Sequence, residues 1–206
     1  PSSPAPPGWP PSGGRDLMIR SWLGALCLAG LVVMAMATPT RESFDPARSS
    51  ASFGVKLRLS GDVPGHFRRI EGELEPEPDG RWRVQVRVDA RDLALDGPGW
   101  MLRNTRSKSF LDVDNHPEIG FTSRPFERAL LASGGKLKGQ LELRGRNRAV
   151  TFILAPSPCQ KPGHGCDIRV LGVVSRRSFG MTSQRMWLRD EVSFDFRVRL
   201  LKADAG

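Results

Sequence analysis

Between Arg81 and Asp89 every second side chain is apolar: Trp82, Val84, Val86 and Val88 share one side, and only polar or charged residues occupy the other. In an extended chain successive side chains point to opposite faces, so this spacing predicts a strand buried on one face. The pattern returns from Glu191 to Leu200, with Val192, Phe194, Phe196, Val198 and Leu200 inward. From Lys136 to Arg144, Leu137, Leu141 and Leu143 face in and Gly139 takes the remaining inward place. Val55, Leu57 and Leu59 form a further inward set, as do Ile119, Phe121 and Ser123, and Val150, Phe152 and Leu154. Strands are also expected around Phe67–Leu74 and Asp167–Ser175.

Turn signals separate these segments: Gly61-Asp62, Pro78-Asp79-Gly80, Ser133-Gly134-Gly135, Arg146-Asn147 and Pro162-Gly163. No long 3.6-residue period occurs after Ser43. About eight short, evenly spaced antiparallel strands predict an all-β sandwich or barrel. Only Gly97 to Asn115 lacks alternation, and a short helix or lid is expected there.

The alternation also explains the charge. The 206 residues carry 31 Lys and Arg against 22 Asp and Glu, a net +9. Arg81, Arg83, Arg87, Lys136, Lys138, Arg197 and Arg199 fall on outer faces, with Asp89, Glu142, Glu191 and Asp195 among them. The aromatic residues face the other way, whereas a nucleic-acid groove needs them beside the basic ones. The charges therefore read as a solvated shell, with no nucleic-acid partner expected and only transient contact with anionic lipid headgroups.

Residues 1–17 are rich in Pro, Ser and Gly, and Met18 then opens a different pattern. Arg20, an uncharged run from Ser21, and Ala35-Met36-Ala37 have the order of a secretory signal peptide. Cleavage after Ala37 is expected, a retained membrane anchor being the alternative, with translation starting at Met18 and residues 1–17 an over-extended, disordered N-terminus. Cys27 follows Leu26 rather than the small residue a lipoprotein signal requires.

In an exported chain Cys159 and Cys166, flanking a turn-forming Gln-Lys-Pro-Gly-His-Gly, are expected to form a disulfide. A metal site adding His164 to the two sulfurs is the competing reading, with three ligands at most. His116 and His66 stand beside Pro and Gly and read as turn residues, since no motif places a nucleophile with either. The inward faces contain no Asp, Glu, Lys, Arg or His, so acid–base chemistry inside has few candidates. No phosphate loop or paired-carboxylate motif is present, and nothing in the sequence asks for an enzyme.

Several short motifs, in order, resemble the YceI-like family. They begin with Asp45-Pro46-Ala47-Arg48-Ser49 followed by Phe53-Gly54-Val55, then Gly65-His66-Phe67 and Gly72. Leu102-Arg103, Phe110-Leu111-Asp112 and Pro117-Glu118-Ile119-Gly120-Phe121-Thr122-Ser123 follow. Gly139-Gln140-Leu141-Glu142-Leu143-Arg144-Gly145 and the corner Arg176-Arg177-Ser178-Phe179-Gly180-Met181 complete the series. Departures are Arg48 where the family usually has His, Leu57 after Lys56 where it has His, and Gly99-Trp100-Met101 where it has Arg-Asp.

The resemblance spans roughly Ser43 to Leu201. It implies an antiparallel, eight-stranded, lipocalin-like β-barrel in the periplasm that binds a polyisoprenoid or similar amphiphile. The inward Val, Leu, Phe and Trp suit such a chain, although an eight-stranded barrel can also fill itself with side chains. The residues expected to line the cavity are Phe53, Val55, Leu57, Phe67, Trp82, Val84, Val86, Leu102, Phe110, Phe121, Leu141, Phe152, Phe179 and Met181. Arg103 and Arg176 are candidates for a polar headgroup, because a guanidinium matches phosphate geometry; a surface salt bridge is the alternative for each. No metal and no cofactor are expected beyond a bound isoprenoid quinone or polyprenyl lipid. Two rival functions stand: a lipid-modifying enzyme using the same cavity, and a membrane-tethered envelope interaction module with a solid core.

Overall fold

The computed structural model describes residues 40–59 and 61–201; the signal-peptide and N-terminal readings lie outside the described residues. The alternating segments form strands of one antiparallel sheet. In chain order they are β1 (Glu42–Ser43), β2 (Ser50–Leu57), β3 (Asp62–Phe67), β4 (Glu71–Pro76), β5 (Trp82–Asp89) and β6 (Leu93–Leu95). After helix α1 (Gly99–Arg106) come β7 (Glu118–Ser123), a short helix α2 (Leu130–Ser133), β8 (Gly135–Leu143), β9 (Arg146–Leu154), β10 (Ile168–Ser175) and β11 (Leu188–Val198). The sheet order is β1-β4-β5-β7-β8-β9-β10-β11-β2-β3-β6, curled into a half-barrel. An isolated bridge between Phe44 and Leu200 ties the β1 edge to the end of β11.

The sheet has eleven strands rather than eight. β1 and β6, of two and three residues, are too short to carry a period. The single strand expected at Phe67–Leu74 is two, because the chain turns at Arg68–Ile70, without Gly or Pro, between β3 and β4. Leu59 is not inward: β2 ends at Leu57, whose N–H donates to Gly61 across a turn, and Leu59 is 84% exposed. His66 lies within β3 rather than in a turn, and it is exposed. The helix expected in 97–115 is α1, followed by turns that end with His116 N–H donating to the Asp112 carbonyl.

Most inward residues of β5, β8 and β11 are buried as their period requires, among them Val84, Val88, Leu137, Leu141, Leu143, Val192 and Val198. Ser123 is an inward polar exception, whose hydroxyl accepts from the Val84 N–H at 3.0 Å where the β5–β7 ladder runs out. Glycines on the inner face make room for rings: a Cβ at Gly65, Gly72, Gly139 or Gly172 would collide with Phe53, Phe44, Phe121 or Phe152. Such glycine–aromatic pairs let a sheet curve tightly while the ring covers the bare backbone. Outside, arginines pair with neighbouring carboxylates, as Arg169 does with Asp195 and Arg41 with Glu73 and Glu75. These pairs are solvent-exposed and contribute little, roughly 0–1 kcal/mol each.

Cys159 and Cys166 are joined by a disulfide. His164 does not approach them as a metal ligand would; its Nε2 lies 3.1 Å from Glu42 Oε2. No cluster of three metal-binding side chains occurs among the described residues.

Candidate functional site

Phe194, Phe196, Val86, Ile119 and Val170 point inward yet are only partly buried. Inward residues stay accessible only where the interior is not filled, and the half-barrel encloses a cavity of about 480 Å³. Its wall is aromatic at the centre. Ring centroids step from Phe67 to Phe53 (5.4 Å), to Phe194 (6.4 Å), to Phe152 (6.4 Å) and to Phe121 (5.1 Å). Aliphatic side chains from the facing strands complete it, among them Val55, Val84, Leu141 and Val174.

Polar side chains on the wall are few and come from adjoining segments. Asn104 and Thr105 belong to α1, Arg176 to the 3-10 turn Arg176–Phe179 after β10, and Gln184 to the loop leading into β11. No Asp, Glu, His, Cys or Lys lines the cavity among the described residues. Trp100, Met101 and Trp187 stand beside the polar group, and both tryptophans are more than half exposed. The cavity is therefore apolar through its depth, with one amphipathic end that reaches solvent.

Among the described residues, Arg176 is the only charged one on the cavity wall. It is 1% exposed, with Nε donating to the Arg189 carbonyl (3.0 Å) and Nη1 to those of Met181 (2.9 Å) and Ser183 (2.6 Å). Burial lowers its pKa, with Asp190 opposing that shift. It forms no ion pair among the described residues, so a surface salt bridge does not describe it. Its guanidinium pins the 181–189 segment that forms one side of the opening.

Of the expected lining residues, Phe53, Val55, Leu57, Phe67, Val84, Val86, Phe110, Phe121, Leu141, Phe152 and Met181 line this cavity, as does Arg176. Four do not. Trp82 is buried at the start of β5 beneath Arg128, whose guanidinium carbon sits 4.2 Å from the ring centroid. Phe179 is wholly buried in the corner after β10. Leu102 packs against the core cluster, and Arg103 is exposed on α1. The helix meets the cavity through Trp100, Met101, Asn104 and Thr105 instead. That i, i+4 spacing marks one helix face and was the available signal.

A family model described as YceI-like domain matches residues 43–200. Among solved structures, Burkholderia cenocepacia BcnA aligns with a TM-score of 0.61 at 20% identity, covering 75% of this chain and 98% of that one. A polyisoprenoid binding domain from Saccharophagus degradans aligns at 0.58 and 13% identity, covering 76% and 95%. A mutant Campylobacter jejuni YceI protein with a monobromobimane guest aligns at 0.56 and 16% identity, covering 71% and 89%. No curated protein matches the chain. At these identities the structural likenesses establish a shared fold.

Proposed function

The chain belongs to the YceI-like family, and on that footing we propose that it binds a polyisoprenoid or similar amphiphilic lipid in its half-barrel and carries it in the periplasm. One observation carries the reading: an apolar cavity of about 480 Å³ whose few polar side chains gather at one end. An isoprenoid tail would lie along the phenyl rings, and its headgroup would meet Asn104, Thr105 and Gln184, with Arg176 holding the segment that carries Gln184. Apolar burial contributes roughly 25 cal/mol per Å², so a long chain needs few hydrogen bonds to be held.

Packing favours an occupant. Left empty, such a space deprives its apolar lining of packing partners, and each missing contact weakens the fold. Water filling it would find few polar partners on this wall. An alkyl chain removes the cost without needing any. Lipid carriage is favoured over lipid modification, because general acid–base chemistry needs a titratable group beside the substrate and Arg176 is committed to backbone carbonyls. A solid-cored interaction module does not account for the cavity.

The test is organic extraction of the protein purified from an exporting cell, read by mass spectrometry. A recurrent stoichiometric amphiphile is expected; an extract that repeatedly contains none, from protein that also binds none offered, would remove the proposal.

A further inference from the structure

The cavity opening is bordered by side chains that the lipid-binding reading does not use. Leu59 (84% exposed) and Met186 (82% exposed) do not line the cavity, yet each stands beside its rim. Leu59 is on the turn between β2 and β3, and Met186 is on the loop before β11. The two segments are stitched together by the Arg58 N–H donating to the Trp187 carbonyl (2.9 Å) and Arg58 Nε to that of Arg185 (2.8 Å). Trp187, next to Met186 in the chain, and Trp100 on α1 are each more than half exposed and also line the cavity. Ile153 and Val173, by contrast, are exposed on the outer faces of β9 and β10 and do not line the cavity.

Basic residues flank these apolar side chains at both ends of the 180–187 loop. Arg58 and Arg185 are exposed at one end and have no ion pair among the described residues. At the other, Arg144 Nη1 donates to the Gly180 carbonyl and Nη2 to that of Lys108, and a Cβ at Gly180 would also touch the Arg146 guanidinium. Asp62 and Asp96 are exposed near the opening and partly offset this charge. Asp190 is held by Arg177 and Ser175. Arg81, Arg91 and Arg169 are matched to carboxylates, whereas exposed Arg68, Arg124 and Arg197 also lack an ion pair among the described residues, so it is the apolar tips beside the arginines that set the rim apart.

We propose that this rim docks onto an anionic lipid bilayer, with Leu59, Met186 and Trp187 entering the headgroup boundary and the flanking arginines meeting phosphates. Exposed apolar tips between unpaired arginines match the two attractions that hold peripheral proteins at membranes. A protein partner with an acidic apolar groove would fit the same side chains less economically, because it would block the cavity opening beside them. Docking gives a membrane lipid a path into the cavity that avoids water. It deepens the lipid-binding reading but is measured separately from it.

The experiment uses the exported chain, residues 38–206, with a solvatochromic dye on Met186→Cys or, near the opposite end, on Lys161→Cys. Vesicles of phosphatidylcholine with or without phosphatidylglycerol are added. The dye at 186 is expected to shift blue on the phosphatidylglycerol vesicles and to lose the shift in high salt, with the dye at 161 unchanged. Arg58→Ala and Arg185→Ala should each weaken the response roughly fivefold, the worth of one basic residue near such a surface. No shift at 186, or an equal shift at 161, would overturn the proposal. Extraction of a lipid from the same protein would still stand, so docking and occupancy fail independently.

Discussion

Phe53 and Gly65 face each other across β2 and β3, and the phenyl ring of the first occupies the space where the second would carry a Cβ. The ring belongs at once to the cavity wall and to the curvature of the sheet. Gly65→Ala can be accommodated only by moving the Phe53 ring and the end of the Leu95 side chain, both flexible, at a cost of about 1 kcal/mol. At Gly139 the added methyl would also meet the Thr122 carbonyl at 2.5 Å, and backbone cannot swing aside. Urea unfolding should therefore show Gly139→Ala losing about 2–3 kcal/mol, more than Gly65→Ala. Equal losses would mean that the Thr122 carbonyl does not set the cost at Gly139.

Arg176 is a second place where one side chain holds several segments. Replacing it by Met keeps the bulk but leaves the carbonyls of Met181, Ser183 and Arg189 without their donor. A loss of about 2–4 kcal/mol is expected in the same unfolding measurement, the range for stranding buried acceptors. Hydrogen exchange should quicken first in 181–189. A variant as stable as the parent would contradict this role.

Acid stability should report Asp190. Burial pushes its pKa up, but bonds from the Arg177 side chain, the Ser175 hydroxyl and the Arg177 N–H together outweigh that and bring it from 3.8 to about 2. A folded pKa below the unfolded one gives stability that is complete above about pH 4 and lost as pH falls towards about 2. The amount is about 2 kcal/mol. Asp190→Asn should lower stability at pH 7 and flatten the profile between those limits. An unchanged slope there would show that the carboxylate is not held as described.

The disulfide closes a loop of sequence separation 7 at the far end of β11 from the opening. Reduction, or Cys159→Ser with Cys166→Ser, should cost about 2 kcal/mol and leave ligand uptake unchanged. Loss of uptake on reduction would place the hairpin in the binding machinery.

These predictions rest on features of uneven legibility. β5, β8 and β11 could be read directly, because burying one face forces apolar side chains into period two. The split of β3 from β4 could not, since Arg68 and Arg69 make a turn without Gly or Pro. Trp82 obeys the inward period but starts its strand, where Phe126 pairs with it and Arg128 covers its ring. Arg176 could be singled out as a cation, yet its carbonyl partners are 5, 7 and 13 residues away, and only folding brings them together. The opening is formed by α1 and two loops, where no strand period operates, so its residues were the least visible.

The central claim is that the interior holds a lipid tail, and a substitution that fills the space tests it most directly. Val86 is inward, only partly buried and on the cavity wall, so Val86→Trp can extend into open volume rather than into packed neighbours. Native mass spectrometry after incubation with a polyprenyl lipid should show one lipid on the parent chain. The same spectrum of a folded Val86→Trp chain should show at least a tenfold smaller bound fraction, about 1.4 kcal/mol by the usual conversion. No adduct on the parent, or an equal adduct on the filled variant, would contradict the account.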